Sequence, residues 1–189
     1  MRRTPLALAA LFYLNASGCA APEPASPEPE SQVYAPVVQA VAVVRETSMD
    51  GGRGKSFGAV SFSDGPYGLI ITPRLRRLDP GSHAVHVHEN PSCAPNDMGM
   101  PAGAAGDHYD PEGTGEHAGP YGDGHLGDLP NLLVEPSGVS YVPVLAPRVT
   151  VADVKGRSLM IHAGADRYDE YGEHMHGKGG MRMYCGIIR

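Results

Sequence analysis

Nine histidines stand out in this chain of 189 residues, because neutral imidazole is the commonest protein ligand for metal ions. His86 and His88 lie two positions apart in HAVHVHE (83–89), a segment with the period-two pattern of a strand. Side chains two positions apart point to the same face, so both rings could converge on one ion. Two solvent-facing histidines are the alternative, and for such a pair alone they are the ordinary interpretation. His83 lies an odd number of positions from His86 and is predicted at the surface. His162 ends the apolar run LMIH, where a lone histidine is ordinarily a core residue.

The glycine- and proline-rich stretch after that segment contains a second group of candidate ligands: His108, His117, His125 and Asp128. Three imidazoles and one carboxylate complete a tetrahedral set for Zn²⁺, which accepts nitrogen and oxygen ligands. The glycines between them allow an irregular loop to fold around an ion. A polar loop with incidental histidines is the alternative. The placement of all four residues between the same two predicted strands favours the zinc site.

Short strands are the elements that would position these residues. With 25 Gly and 18 Pro, the chain has too many turn formers for a helical bundle. Period-two apolar segments between turn signals predict eight strands, at 37–46, 56–63, 67–73, 83–89, 131–135, 139–146, 157–163 and 181–188. The sequence therefore predicts an all-β, antiparallel barrel or sandwich. Two segments, about 90–130 and 164–180, are too long for hairpin loops and are expected to be functional.

The N-terminus is typical of an exported protein. Residues 1–18 contain two arginines and a short apolar run, which predicts a signal segment and not a membrane-spanning helix. ASGC (16–19) resembles a bacterial lipoprotein cleavage box, in which Cys19 carries the lipid and becomes the first mature residue. Ordinary cleavage near Ala20 or Ala21, releasing a soluble protein, is the alternative. The composition of residues 20–32 predicts a disordered Pro/Glu-rich linker. The folded domain is predicted at residues 33–189.

The charge of the chain limits which partners it could bind, and its cysteines indicate the compartment in which it works. The formal charge is −6 and no cluster of Lys and Arg stands out, so nucleic acid is not expected as a partner. An exported protein works where disulfides persist. If Cys19 carries lipid, Cys93 and Cys185 are the two remaining cysteines and can form one disulfide. Two unpaired buried thiols are the alternative, which an oxidising compartment disfavours. Closing a loop of that size would stabilise the fold by ~4–5 kcal/mol in the chain-entropy model.

Six motifs follow one another along the chain: HVHENPSC (86–93), GDHYDP (106–111), GEHAGP (115–120), GHLGD (124–128), SLMIH (158–162) and MRMYCGII (181–188). Together they closely resemble the copper/zinc superoxide dismutases, specifically their bacterial exported branch. The resemblance extends over about residues 36–189 and implies an eight-stranded Greek-key barrel. The family's reaction is the dismutation of superoxide to oxygen and hydrogen peroxide, which would protect the cell envelope. Members occur as monomers and homodimers.

The resemblance also implies two metal ions per chain, one copper and one zinc, that share the His108 ring. Asp166 would link a copper histidine to a zinc histidine, and Arg182 would line the channel to the copper. Cys93 and Cys185 would form the family's disulfide and hold Arg182 in place. The copper ligands implied are His86, His88, His108 and His162, and the zinc ligands are His108, His117, His125 and Asp128.

GEHMHGKGGMRM (172–183) departs from the glycine-rich version of this loop in the family. His174, Met175, His176, Met181 and Met183 could form an accessory copper site, because thioethers favour Cu(I). A mobile polar loop is the alternative, and the sequence favours it. A non-enzymatic copper or zinc buffer is the competing function for the whole chain. Such a buffer would need neither Arg182 nor a ring shared between two ions.

Overall fold

The computed structural model describes residues 37–51, 54–168 and 179–189, and all of its strand pairs are antiparallel. Several predicted features lie outside these residues: the signal segment, Cys19, the linker and the positions from His174 to His176. The strands are β1 (Ala40–Glu46), β2 (Ser56–Gly65), β3 (Gly68–Arg76), β4 (Gly81–His88), β5 (Asp128–Val134), β6 (Val139–Ser140), β7 (Val144–Ala146), β8 (Ser158–His162) and β9 (Arg182–Ile187). A 3₁₀ turn spans Gly103–Ala105, and a four-residue helix, α1, spans Val151–Val154.

The strands form one nearly closed antiparallel barrel in the order β5-β4-β8-β9-β1-β2-β3-β6, with β7 also paired to β3. β3 and β4 follow one another in the chain but are not neighbours in the sheet, because β4 lies between β5 and β8. The segment that joins them is therefore the long connection of a Greek key. The predicted eight-stranded Greek-key barrel is therefore confirmed. Among the described residues, no helix is long and apolar enough to cross a membrane.

One predicted strand is interrupted. The segment predicted at 139–146 divides into β6 and β7, and both pair with β3. Pro143 lies between them, and proline has no backbone N–H to donate to the neighbouring strand. The two pieces thus occupy the place of one barrel strand.

β4 and β8 are the strands that position the candidate site, because each is buried on both faces. Val85 and Val87 of β4 belong to the aliphatic core inside the barrel. The alternate residues, His86 and His88, point to the opposite face and are fully buried beneath the long loop. Met160 of β8 packs on that outer face with Ala102 and Ala105 of the loop and with Cys185.

His83 corrects one expectation of the sequence analysis. Its side chain is only 3% exposed and does not lie at the surface. It shares the parity of Val85 and Val87, and that face of β4 is the interior of the barrel. The ring lies between two backbone carbonyls, with Nδ1 2.7 Å from the His162 oxygen and Nε2 2.8 Å from the Asp79 oxygen.

Candidate metal centre

The long loop after β4 folds back onto the strand that precedes it. The Val87 N–H donates to the Gly127 carbonyl at 2.8 Å, and the Tyr109 N–H donates to the Val87 carbonyl at 2.8 Å. An antiparallel bridge pairs His88 with His108. Glycine is required at 127, because a Cβ there would lie 2.3 Å from the Val87 oxygen. This docking brings a loop histidine beside the histidines of β4.

Two groups of potential ligands result, and they share His86 and His108. In each group, one donor atom per residue lies within 4.8 Å of all the others. The rings of His86 and His108 are 3.9 Å apart between centroids. The first group is His86, His88, His108 and His162, and the second is His86, His108, His117 and Asp128.

Hydrogen bonds on the far side of three rings determine which nitrogen faces the first group. Nδ1 of His88 donates to the Gly106 carbonyl at 2.9 Å, and Nδ1 of His162 donates to the Gly180 carbonyl at 2.8 Å. A carbonyl oxygen only accepts, so these nitrogens carry the proton and each Nε2 carries a lone pair. Nε2 of His86 donates to Asp166 at 2.9 Å, which leaves its Nδ1 with a lone pair.

The lone pairs of this group fit a bound cation. His86 Nδ1 and His162 Nε2 face each other at 3.0 Å, and two lone pairs at that distance repel unless a positive charge lies between or beside them. His88 Nε2 is buried and has no hydrogen-bond partner among the described residues. Buried polar atoms are rarely left without a partner. Imidazole nitrogens suit copper, so the donor set fits that metal.

Asp128 is the centre of the second group. It is the first residue of β5 and pairs with His86 on β4. Its Oδ1 lies 2.7 Å from His108 Nδ1, and its Oδ2 lies 2.9 Å from His117 Nδ1. His125, which the resemblance implies as a zinc ligand, is not in the second donor group of the structure, although its Nδ1 lies 3.5 Å from Asp128 Oδ1. Three imidazoles and one carboxylate are a donor set that fits zinc.

Asp166 connects the two groups. Its Oδ2 accepts from His86 Nε2 at 2.9 Å and from His117 Nε2 at 2.8 Å, and it is almost completely buried. A carboxylate placed this way fixes the orientation and the protonated nitrogen of both rings. The resemblance implies a carboxylate at Asp166 that links a histidine of each group, and these two hydrogen bonds form such a link.

Asn131 is a residue that the sequence analysis missed. Its Nδ2 donates to the Asp166 carbonyl at 2.9 Å, and its Oδ1 accepts from the Asp166 N–H at 2.9 Å. The paired bonds hold the backbone of Asp166 in place. Asn131 lies in β5, and no motif marks it, because its partner is 35 residues away.

Burial keeps the rings of the first group neutral. It lowers the pKa of His86 and of His88 well below 6.5, and nearby rings lower both further. Burial also lowers the pKa of His162 to about 4. The pKa of His108 is lowered by burial even though its bond to Asp128 opposes that shift. Neutral imidazole is the form that binds a metal.

The second group has the opposite electrostatics. Burial alone would lower the pKa of His117, but its hydrogen bonds to Asp128 and Asp166 raise that pKa to about 9. Burial alone would raise the pKa of Asp128, and the hydrogen bonds from His108, His117 and His125 hold it far below its usual range. The group therefore holds an ionised carboxylate that favours a positive charge, whether a proton or a metal ion.

Arg182 is the cation beside the first group. It begins β9, in register with His162 of β8, and its side chain is half-buried. Nη1 donates to the Ala102 carbonyl and Nη2 to the Gly106 carbonyl, each at 2.8 Å. The same Gly106 oxygen accepts from His88, so one carbonyl orients the arginine and a ligand ring. Burial lowers the Arg182 pKa, and the charge of Asp107 opposes that shift.

A disulfide joins the loop to β9. Cys93 and Cys185 are bonded, with their Cα atoms 5.8 Å apart. Cys185 lies three residues after Arg182, and Cys93 lies nine residues before Ala102, which accepts from that arginine. The bridge thus ties together the two segments that hold the guanidinium.

Comparisons with known proteins agree with one another. The family model for copper/zinc superoxide dismutase (SODC) matches residues 56–188. The chain is 48% identical over 141 residues to the protein named Superoxide dismutase [Cu-Zn] from Brucella abortus, covering 72% of this chain and 81% of that one. It is 46% identical over 153 residues to Superoxide dismutase [Cu-Zn] 1 from Salmonella typhimurium, covering 78% and 86%.

Solved structures show the same similarity. The Cu/Zn superoxide dismutase from Brucella abortus superposes with a TM-score of 0.75 at 44% identity, over 80% of this chain and all of that one. The monomeric copper, zinc superoxide dismutase from Salmonella enterica gives a TM-score of 0.69 at 40% identity, again over 80% of this chain and all of that one.

Proposed function

The chain belongs to the copper/zinc superoxide dismutase family, and on that basis we propose how its own residues bring about the dismutation of superoxide. The enzyme uses copper and zinc. The observation that carries the assignment of residues is the position of His108. Both groups contain His86 and His108, but the second nitrogen of His86 is bonded to Asp166, so His108 is the shared ring to which we assign both ions. We assign copper to His86, His88, His108 and His162, and zinc to His108, His117, His125 and Asp128.

Copper held by these rings would supply one-electron exchange for the overall reaction, in which two superoxide anions and two protons become one oxygen and one hydrogen peroxide. The chain must bind the anion, keep the rings fixed and hold a proton. We assign that proton to His108 Nε2. Its Nδ1 is engaged by Asp128 at 2.7 Å, so Nε2 is the nitrogen that remains for the copper side and for proton uptake.

Arg182 binds the substrate anion in this proposal. A chain with a formal charge of −6 repels superoxide at long range, so a local cation is needed at the site. A guanidinium has five N–H donors, and the bonds to Ala102 and Gly106 use two of them. Within the described part of the chain, the remaining donors are available to a small anion.

Asp166 and Asp128 are positioning residues. Asp166 keeps Nδ1 of His86 and Nδ1 of His117 as the nitrogens that face the metals, because it takes the proton-bearing Nε2 of each ring. Asp128 gives the zinc group its negative charge and orients His108. Zinc has no redox chemistry, so its site serves to close the loop and support the shared ring.

The test is a superoxide-decay assay on the mature protein reconstituted with copper and zinc, with metal content measured on the same sample. We expect accelerated decay that requires copper, and loss of the coupling between the two ions when His108 is replaced by Ala. A preparation that binds both ions without accelerating decay would instead indicate a metal buffer.

We further propose that the protein is exported and that lipid on Cys19 anchors it to the bacterial cell envelope, where it protects against superoxide. The bond between Cys93 and Cys185 supports export, because disulfides persist in oxidising compartments. Residues 20–32 would then be the spacer between the membrane and the domain at 33–189.

Expression of the full chain in a bacterium with labelled palmitate tests the anchor. Label on the wild-type chain and none on the Cys19→Ser variant is the expected result. A mature, unlabelled protein beginning near Ala20 or Ala21 would show that ordinary cleavage releases it.

A further inference from the structure

Methionines are concentrated on three chain segments, two of which meet near the end of β1. The chain has eight methionines, and five of them lie on the loop after β1, on the long loop after β4, or at the start of β9. Four of the five are well exposed, from 46% for Met100 to 85% for Met98. Single exposed apolar residues are ordinary, but four exposed methionines on these segments are not explained by packing, and only the fifth, Met183, packs against the core. The five are Met49, Met98, Met100, Met181 and Met183.

Three of these methionines line one cavity of about 430 Å³. Met100 comes from the long loop, and Met181 and Met183 come from the residues on either side of Arg182. Glu46 and Thr47, at the end of β1, form the other wall. The cavity is bounded by three chain segments that are far apart in sequence, so it exists only in the folded protein.

Hydrogen bonds join the walls of this cavity. The Thr47 N–H donates to the Met183 carbonyl at 2.9 Å, and its hydroxyl donates to the Arg182 carbonyl at 2.7 Å. The Met100 N–H donates to Oδ1 of Asn96 at 2.9 Å, which fixes the loop tip. A Cβ built on Gly99 would lie 3.9 Å from the Met49 methyl group, so a fourth methionine reaches this loop.

The chemistry of the lining selects a soft monovalent cation. Thioether sulfur is neutral and polarisable, and such ligands select Cu(I) over hard cations. The exposed carboxylate of Glu46 adds one negative charge at the rim. Arg182 also lines the cavity, and the negative charge of Glu46 offsets the positive charge of its guanidinium, which is bonded to the carbonyls of Ala102 and Gly106. We propose that Met100, Met181 and Met183 bind one Cu(I) ion in this cavity, at a site separate from the histidine groups.

The position suggests what such a site would serve. Gly180 lines the cavity, and its carbonyl accepts the Nδ1 proton of His162 at 2.8 Å. The methionine site is thus separated from a copper-group histidine by one backbone residue. Holding Cu(I) there would supply the histidine group with copper, and this part of the inference rests on the proposed function. The binding of Cu(I) by the three methionines does not rest on the proposed function.

The test is an anaerobic Cu(I) titration of the protein already loaded with copper and zinc, with the Cys93–Cys185 disulfide intact, against the chromogenic competitor bicinchoninate. We expect one further Cu(I) per chain, lost when Met100, Met181 and Met183 are all replaced by Leu, which keeps their apolar volume. Met98→Leu is the matched control, because Met98 is exposed on the same loop but does not line the cavity. If the triple variant does not fold, Met181→Leu alone should weaken the extra binding by at least tenfold (~1.4 kcal/mol).

Two further measurements decide between outcomes. X-ray absorption at the copper edge should show sulfur scattering from the extra ion, since both described cysteines are in a disulfide. A His174→Ala/His176→Ala variant should keep the extra ion. No extra ion, no sulfur ligation, or loss only in the histidine variant would each overturn the proposal. Superoxide decay by the same wild-type sample reports separately on the proposed function.

Discussion

At the scale of single residues, each ring of the site is held by its second nitrogen. Identity and spacing indicated the loop ligands, because three histidines and an aspartate lie between the same two strands. The HVH pair alone was a weak signal, and only the family resemblance implied His162 as a ligand. Identity and spacing could not indicate which nitrogen faces the ion, since that depends on Gly106, Gly180 and Asp166, which are distant in sequence from the rings they fix. For the same reason Asn131 had no detectable signal.

Arg182→Ala should leave both metals bound but lower kcat/KM by ~10–100-fold and remove most of its salt dependence, because the local cation that attracts the anion is gone. Superoxide decay measured at several ionic strengths checks this. Arg182→Lys keeps the positive charge but not the planar guanidinium, so its kcat/KM should lie between those of the wild type and the alanine variant. Unchanged kinetics across ionic strength in the alanine variant would remove Arg182 from the mechanism.

Asn131→Ala should weaken binding of both metals by ~10-fold or more, because Asp166 loses the two bonds that hold its backbone and no longer fixes His86 and His117. Competitive metal titration measures the loss, and the copper electron paramagnetic resonance spectrum should change as the ring moves. Leu133→Ala, an exposed change on the same strand, serves as the control. An identical spectrum and affinity in both variants would contradict the positioning role.

At the scale of elements, the strands were predictable and the loops were not. Alternation identifies a strand from local residues alone, so the eight predicted strands correspond to barrel strands, with the break at Pro143 unanticipated. Alternation also gave the wrong surroundings for His83, because it separates two faces without telling whether the second face is solvent or core. The path of the loop depends on long-range bonds such as that from Val87 to Gly127.

Removing the bridge with Cys93→Ala and Cys185→Ala should lower the free energy of unfolding by ~4 kcal/mol, since the bond closes a segment of 92 residues. Urea denaturation of the metal-loaded protein measures it. We also expect lower activity, because the loop that supplies Ala102 and Gly106 to Arg182 is no longer tied to β9. Reduction of the wild-type disulfide should reproduce both effects. Loss of stability with full activity would separate the bridge from the arginine.

At the scale of the whole molecule, the buried histidines make stability depend on pH once chelation has removed the metals. The pKa of His162 is about 4 when folded and about 6.5 when unfolded. The unfolded chain therefore binds the proton first as pH falls, and about 3 kcal/mol is lost between pH 6.5 and 4. His86 and His88 act in the same direction.

His117 acts at the other end of the range. Its folded pKa of about 9 lies above the unfolded value, so its contribution is complete below pH 6.5 and is lost as pH rises to 9. The metal-free protein should be most stable near pH 6.5. Urea midpoints at pH 4.5, 6.5 and 9 check this, and a midpoint that rises steadily towards either extreme would contradict it. Metal-loaded protein at the same pH values provides the comparison.

The ring of His108 has a consequence for how the protein fills with metal. It engages Asp128 through one nitrogen and belongs to both sets of donors, while Asp166 holds one histidine of each set. Occupancy of either position restricts the same rings that the other position needs. Uptake of the two ions should therefore be cooperative, and each ion should raise the affinity for its neighbour by the same factor, as thermodynamic linkage demands.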